Sequence, residues 1–424
     1  MSILIKNGRI IDPSQNIDMI ADLLLEDGKI KDLTENIDEP DAEIIDAGGK
    51  VVCPGLVDIH VHLREPGYEY KETIETGCKS AAAGGFTSIV CMPNTNPIND
   101  NASVTEYILL KARTEGIVNV FPIGAITKDE KGKELADIGE MYEAGCVAIS
   151  DDGMPVTDSD LMRRAMEYVK PLGLPVIIHS EDTYLSGDGV MNEGVVSTKL
   201  GLKGIPNASE EIMIGRDIIL SELTGTHIHI CHVSSGGSVR LIREAKKRGI
   251  KITAEATPHH FTLTDEAVLE YNTDAKMNPP LRTKTDVEEI IEGLRDGTLD
   301  AIATDHAPHS QDEKNVEFDL APFGILGLET ALSLSLKLVD DEVLSLPEMI
   351  SKLTNIPSDI VKIGRGTLKK GAIADVVIFD KDEEYVVDEN KFHSKSRNTP
   401  FKGWKLKGVI YNTIVSGKVV YSKN

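Results

Sequence analysis

Residues 56–63 read LVDIHVHL, an apolar run of strand length with histidines at 60 and 62. Alternate residues of a strand face the same side, so His60 and His62 project together. Seven further runs of the same character follow, at 87–92, 119–125, 146–150, 175–179, 227–233, 251–256 and 300–304. Amphipathic stretches lie between them, including 71–83, 158–172, 209–224 and 238–248, with Asp158 and Ser209 placed as helix caps. Strands alternating with helices imply a parallel α/β fold, and eight such units in about 250 residues match a (β/α)₈ TIM barrel. A doubly wound open sheet would carry a glycine-rich phosphate turn after its first strand, and none is present.

The two ends of the chain differ from this middle. Apolar segments near Ile3–Ile5 and Leu23–Leu25 are followed by the turn dipeptides Asn7-Gly8 and Asp27-Gly28. At the other end, 374–379, 408–411 and 415–421 are β-like. The expected organisation is a small β-sandwich domain built from both termini (1–54 and 364–424) around a metal-dependent barrel (55–363).

The 424 residues carry a formal charge of −24, which disfavours nucleic acid and anionic membrane surfaces as partners. An anionic substrate would need a local cationic anchor. The first residues have the features of neither a signal peptide nor a membrane span, for which about 18 uninterrupted apolar residues are needed. Cys53, Cys78, Cys91, Cys146 and Cys231 are odd in number and widely spaced. They fit buried free thiols in a reducing compartment, and the expected location is cytoplasmic.

In a barrel, functional side chains sit at the C-terminal ends of the strands. Those ends carry His60 and His62, then Asp151 and Asp152, then His179, His232 and Asp305. A lone buried histidine is usually a satisfied core group. Five strand ends supplying ligand types together are not accidental. Imidazole with carboxylate and no thiolate suits zinc or a similar ion in an open catalytic site. A metal pair holding a hydroxide lowers the pKa of water from 15.7 toward ~7, and Asp305 could carry the proton to a departing nitrogen. His306 is placed as a supporting residue. His227, His229 and His393 read as structural, with His259 and His260 near the mouth.

The segment Val57–Gly67 (VDIHVHLREPG) is similar to the amidohydrolase superfamily, and within it to bacterial dihydroorotases of the long, class I type. Further matching motifs are Met92-Pro93-Asn94-Thr95, Ile230-Cys231-His232-Val233-Ser234, Thr257-Pro258-His259-His260, Asn278-Pro279-Pro280, Thr304-Asp305-His306-Ala307-Pro308-His309 and Ala321-Pro322-Phe323-Gly324. The resemblance implies reversible hydrolysis of (S)-dihydroorotate to N-carbamoyl-L-aspartate in pyrimidine biosynthesis. It assigns His60, His62 and Asp305 to one Zn²⁺, His179 and His232 to a second, and Asp152 to the bridge between them. Position alone leaves Asp151 and Asp152 as alternatives. It gives Arg64 the ring carboxylate, with His62, Asn94, Asn278, His309, Phe323 and Gly324 completing the substrate grip. Arg64 lies two residues beyond His62, on the same face if the strand persists. It further implies a homodimer and association with aspartate transcarbamoylase. Residues 310–320 read as a mobile lid. The rival expectations are a hydantoinase- or allantoinase-type cyclic amidohydrolase, and a non-catalytic dihydroorotase-like scaffold.

Overall fold

The computed structural model describes residues 2–423. Eight parallel strands lie in sequence order: β1 (Leu56–Val61), β2 (Phe86–Cys91), β3 (Asn119–Gly124), β4 (Ala148–Ile149), β5 (Val176–Ile178), β6 (Ile228–Ile230), β7 (Ile252–Ala256) and β8 (Ala301–Ile302). The ring closes at a parallel bridge between Val61 and His306. There the His62 N–H donates to the His306 carbonyl at 2.9 Å. All eight strands fall on the apolar runs read from the sequence, because a strand buried on both faces must be apolar almost throughout. Val57, Ile59, Val90, Ile123, Ile177, Ala301 and Ala303 fill the interior, with Ile360 and Val361 of the helix Asn355–Val361 in the same cluster. Ile89, Ile149, Val176, Ile230 and Ile252 join the larger cluster formed with the helices.

Val57 and Ile59 belong to the interior, yet His60 and His62 also point inward. A strict two-residue period cannot do both. The pairing of β1 with β2 slips between Asp58 and Val61, and such a bulge re-aims side chains beside a site.

The helices Ile74–Ala83, Ser159–Val169, Asn207–Thr224 and Gly236–Lys247 occupy the amphipathic stretches. Asp158 caps the second of these, accepting from Asp160 N and Leu161 N. Ser209 is not a cap. Its helix begins two residues earlier, after Pro206, and its hydroxyl donates to the Asp182 carbonyl at 3.0 Å. Among the described residues no helix is long and apolar enough to cross a membrane.

The strands Ser2–Asp12, Ile17–Glu26, Lys29–Thr34, Glu43–Asp46 and Val51–Pro54 join Val376–Val386, Lys405–Val415 and Lys418–Ser422 in one mixed sheet. The two ends of the chain meet where Val51–Pro54 pairs antiparallel with the start of Val376–Val386. Ile5, Ile10, Leu23, Val376, Ile378 and Ile414 pack in one cluster, which is why the sheet needs both termini. Asp27-Gly28 forms the expected turn. Asn7-Gly8 does not: it is a bulge inside Ser2–Asp12, with Asn7 at φ 61°. A bulge and a tight hairpin make the same demand for positive φ, so this dipeptide alone could not separate them.

Candidate metal centre and active site

At the strand C-termini the chain leaves the ladder, and the six residues expected as ligands come together. Asp152 lies at the middle. Its Oδ1 is 3.4 Å from His60 Nε2, 3.6 Å from His179 Nδ1 and 3.6 Å from His232 Nε2, and its Oδ2 is 3.5 Å from His62 Nε2. Asp305 Oδ1 stands 3.0 Å from His62 Nε2 and 3.5 Å from His60 Nε2. Asp151 turns away: its Oδ1 accepts the Ile126 and Thr127 N–H groups at 2.7 and 3.1 Å, and Thr127 Oγ1 donates to Oδ2. Of the adjacent carboxylates, one braces a loop and the other faces four imidazoles.

The donor set fits a cation. His60 Nε2, Asp152 Oδ1 and His232 Nδ1 are buried without a hydrogen-bond partner among the described residues, although buried polar groups are normally paired. Two groups of ligand atoms lie close enough to hold an ion: His60, His62 and Asp305, and His60, Asp152, Cys231 and His232. Burial pushes the Cys231 thiol well up, so its reading as a buried free thiol stands beside this proximity. Burial opposes charge on His179, but Asp152 and Glu181 raise it to about 10. Burial likewise opposes charge on Asp152, and the histidines around it, His60 foremost, hold it well below the usual carboxylate range. The site gathers imidazole and carboxylate donors with atoms left unpaired, a set that suits a divalent cation.

The cavity over this cluster measures about 310 Å³ and is lined by Arg64, Asn94, Asn278, His309 and Phe323 among others. Arg64 does not reach it by continuation of β1, which ends at Val61. Its backbone turns left-handed at φ 61°, and its Nε donates to the Pro308 carbonyl at 3.2 Å. His309 has Lys71 Nζ at 3.2 Å on Nδ1 and donates from Nε2 to the Phe323 carbonyl at 2.8 Å. Burial, then Arg64 and Lys71, lower its pKa far below the ordinary value, so the ring is neutral. Asn94 accepts from His62 Nδ1 at 2.9 Å, leaving Nε2 for the centre. Asn278 donates to Glu181 at 3.0 Å. Gly324 sits one step behind Phe323, where a Cβ would fall 2.6 Å from the Ala307 carbonyl oxygen and 2.7 Å from His309 Cδ2.

Residues outside the sequence reading support this mouth. Asn398, from beyond the barrel, accepts from His309 N and donates to the Ala307 and Gly324 carbonyls. Nothing local in the sequence marks it. Glu181, beside His179, and Glu255, a lone acid inside an apolar strand run, did carry a signal. His306 bonds Glu72 at 3.3 Å and lies outside the cluster. His260 is satisfied by Thr257 and the Pro279 carbonyl, whereas His259 Nε2 is unpaired among the described residues. Residues 310–320 hold a short capped helix, Gln311–Lys314. Lys276 Nζ donates to the Phe318 and Asp319 carbonyls from beneath, and Lys71 pairs with Glu313 at 2.9 Å.

A closed (β/α)₈ barrel with imidazoles around a shared carboxylate at its rim defines an amidohydrolase. The solved structures agree. An L-hydantoinase (dihydropyrimidinase) of Arthrobacter aurescens superposes with a TM-score of 0.88 at 26% identity, covering 100% of this chain and 96% of that one. The dihydropyrimidinase of Brevibacillus agri gives 0.87 at 23%, over 100% and 95%, which speaks to fold alone. Residues 49–238 match the family model described as dihydro-orotase-like. The chain is 57% identical to the dihydroorotase of Geobacter metallireducens over 100% of both chains. It is 58% identical to that of Citrifermentans bemidjiense over 99% and 100%. The chain belongs to the dihydroorotase family, whose members are metal-dependent cyclic amide hydrolases.

Proposed function

We propose that this protein catalyses the reversible hydrolysis of (S)-dihydroorotate to N-carbamoyl-L-aspartate, the dihydroorotase reaction of pyrimidine biosynthesis. The observation that carries the proposal is Arg64 beside the carboxylate-centred histidine cluster in one cavity. Two Zn²⁺ ions are the proposed occupants, one held by His60, His62 and Asp305, the other by His179 and His232, with Asp152 between them. When bound, such ions acidify water and polarise the substrate carbonyl. Arg64 offers the ring carboxylate a charge-assisted, bidentate partner and answers the need for a cationic anchor in an acidic chain. Neutral His309 lies within 3.4 Å of Arg64, and Asn278, His62 and Asn94 line the same cavity, with Phe323 and Gly324 supplying backbone groups. Asp305 takes the proton from the attacking water and returns it to the ring nitrogen as the C–N bond breaks. In the reverse direction the same carboxyl serves ring closure.

The second reading, a hydantoinase-type enzyme, has the solved neighbours in its favour. Hydantoin and dihydropyrimidine rings carry no carboxylate to engage Arg64. Turnover of dihydroorotate against hydantoin and allantoin, with metal content measured on the same sample, tests both; preference for hydantoin would overturn the first. The proposal carries with it a cytoplasmic homodimer and contact with aspartate transcarbamoylase, which sedimentation of the chain alone and with that enzyme would test. It also assigns residues 310–320 as a lid, and protease sensitivity there that ignores substrate would remove that assignment.

A further inference from the structure

Glu255 lies on β7 in the inward phase and is fully buried. A carboxylate in a barrel interior costs several kcal/mol unless it is paired, and an apolar residue would pack there at lower cost. Its two oxygens are used differently. Oε1 accepts from His60 Nδ1 at 3.0 Å, and Oε2 accepts from His229 Nε2 at 2.9 Å. The backbone N–H of His232, a residue held at φ 34°, also reaches Oε1 at 3.4 Å. Beyond His229 the chain of bonds continues. His229 Nδ1 and His227 Nε2 both lie 2.9 Å from Thr253 Oγ1.

One assignment of protons satisfies every link. His227 Nε2–H donates to Thr253, whose hydroxyl donates to His229 Nδ1. His229 Nε2–H and His60 Nδ1–H then both donate to Glu255. With its proton on Nδ1, a neutral His60 presents a bare Nε2 to the centre, and that nitrogen is the one without a partner. A metal-binding histidine oriented by a carboxylate on its other nitrogen is a better and more rigid donor.

We propose that Glu255, backed by His229, is a positioning residue of the metal centre: it fixes the tautomer and tilt of His60 and steadies the backbone at His232. His229 is thereby part of the site's support, against its reading as a merely structural histidine. The inference rests on the metal-centre reading above.

The test uses the full chain as wild type, Glu255→Gln and His229→Gln, loaded with Co²⁺. Affinity is read by competition with a chromophoric chelator, geometry by the visible absorption spectrum, and folding by circular dichroism. A glutamine cannot accept from both rings, so one of them must break its bond or move its proton. Glu255→Gln should weaken Co²⁺ binding by about 10–100-fold, shift the visible bands, and lower kcat for dihydroorotate with little change in KM. His229→Gln should give a smaller loss in the same direction. A folded Glu255→Gln chain that matches wild type in affinity and spectrum would overturn the proposal, and if that variant does not fold, His229→Gln decides by the same measures. Wild type that fails to bind Co²⁺ would overturn the metal centre itself, and this inference with it.

Discussion

Asp12 in the terminal sheet and Asp152 on the barrel rim are both buried carboxylates at the end of a strand run. At Asp12 every lone pair has an answer. Oδ1 accepts from Ser14 N and Ser14 Oγ at 3.0 and 2.7 Å, and Oδ2 from Leu368 N and Gln15 Nε2, each at 2.7 Å. At Asp152 the oxygen facing three histidines has no hydrogen bond among the described residues. The backbone does not share this contrast: Arg64, His232 and Asp305 at the rim sit at positive φ, and so do Asn7, Asn16, Asp27, Asn36 and Ser416 of the terminal region. A buried polar group left unpaired costs about 1–3 kcal/mol. The terminal sheet therefore holds its polar groups at little cost. The rim holds unpaired groups in an arrangement that could hold a metal ion, and the surrounding fold must bear that cost.

Four substitutions probe this contrast. Asp305→Ala should reduce turnover in both directions by about 10³-fold or more, while circular dichroism shows an intact fold. Retained activity would take Asp305 out of proton transfer. In the terminal sheet, Ile378→Ala should do the converse, lowering stability by about 2–5 kcal/mol in denaturant titrations with kcat of the folded enzyme preserved. A selective loss of metal binding there would show that the two regions are not separable. Arg64→Met should raise KM for dihydroorotate by roughly 10–100-fold, the worth of a charge-assisted hydrogen bond, with a smaller effect on kcat; an unchanged KM would remove the anchor.

The smallest effect is expected at Glu130, near the rim but outside the cluster. It is buried, with one oxygen unpaired among the described residues. Burial, reinforced by Asp151 and Asp152, raises its carboxyl to about 9. Between its ordinary value of 4.5 and about 9 the folded chain holds a proton that the unfolded chain has lost. Its contribution to stability therefore falls as pH rises through that window. Glu130→Gln, which cannot ionise, should be close to neutral at low pH and stabilising by about 1–3 kcal/mol in alkaline buffer. Equal stability differences at both ends of the range would show that the carboxyl does not ionise there.

The eight strands and most helices were legible because burial on two faces imposes continuous apolar runs, and amphipathic spacing marks what lies between. Candidate ligands were legible for a related reason: polar residues at strand ends interrupt an otherwise apolar pattern. Asn7-Gly8 and Ser209 were misread, since a turn and a bulge, or a cap and a first-turn serine, share local chemistry.

By itself the sequence determined the barrel, the terminal β region and the residue types gathered at one rim. Tertiary structure decided which of Asp151 and Asp152 faces the histidines, how Arg64 returns to the cavity after its strand has ended, and that Glu255 and Asn398 brace groups far away in the chain. Periodicity is a property of neighbours along the chain. Hydrogen bonds between remote segments depend on distances that exist only once the ring of strands has closed.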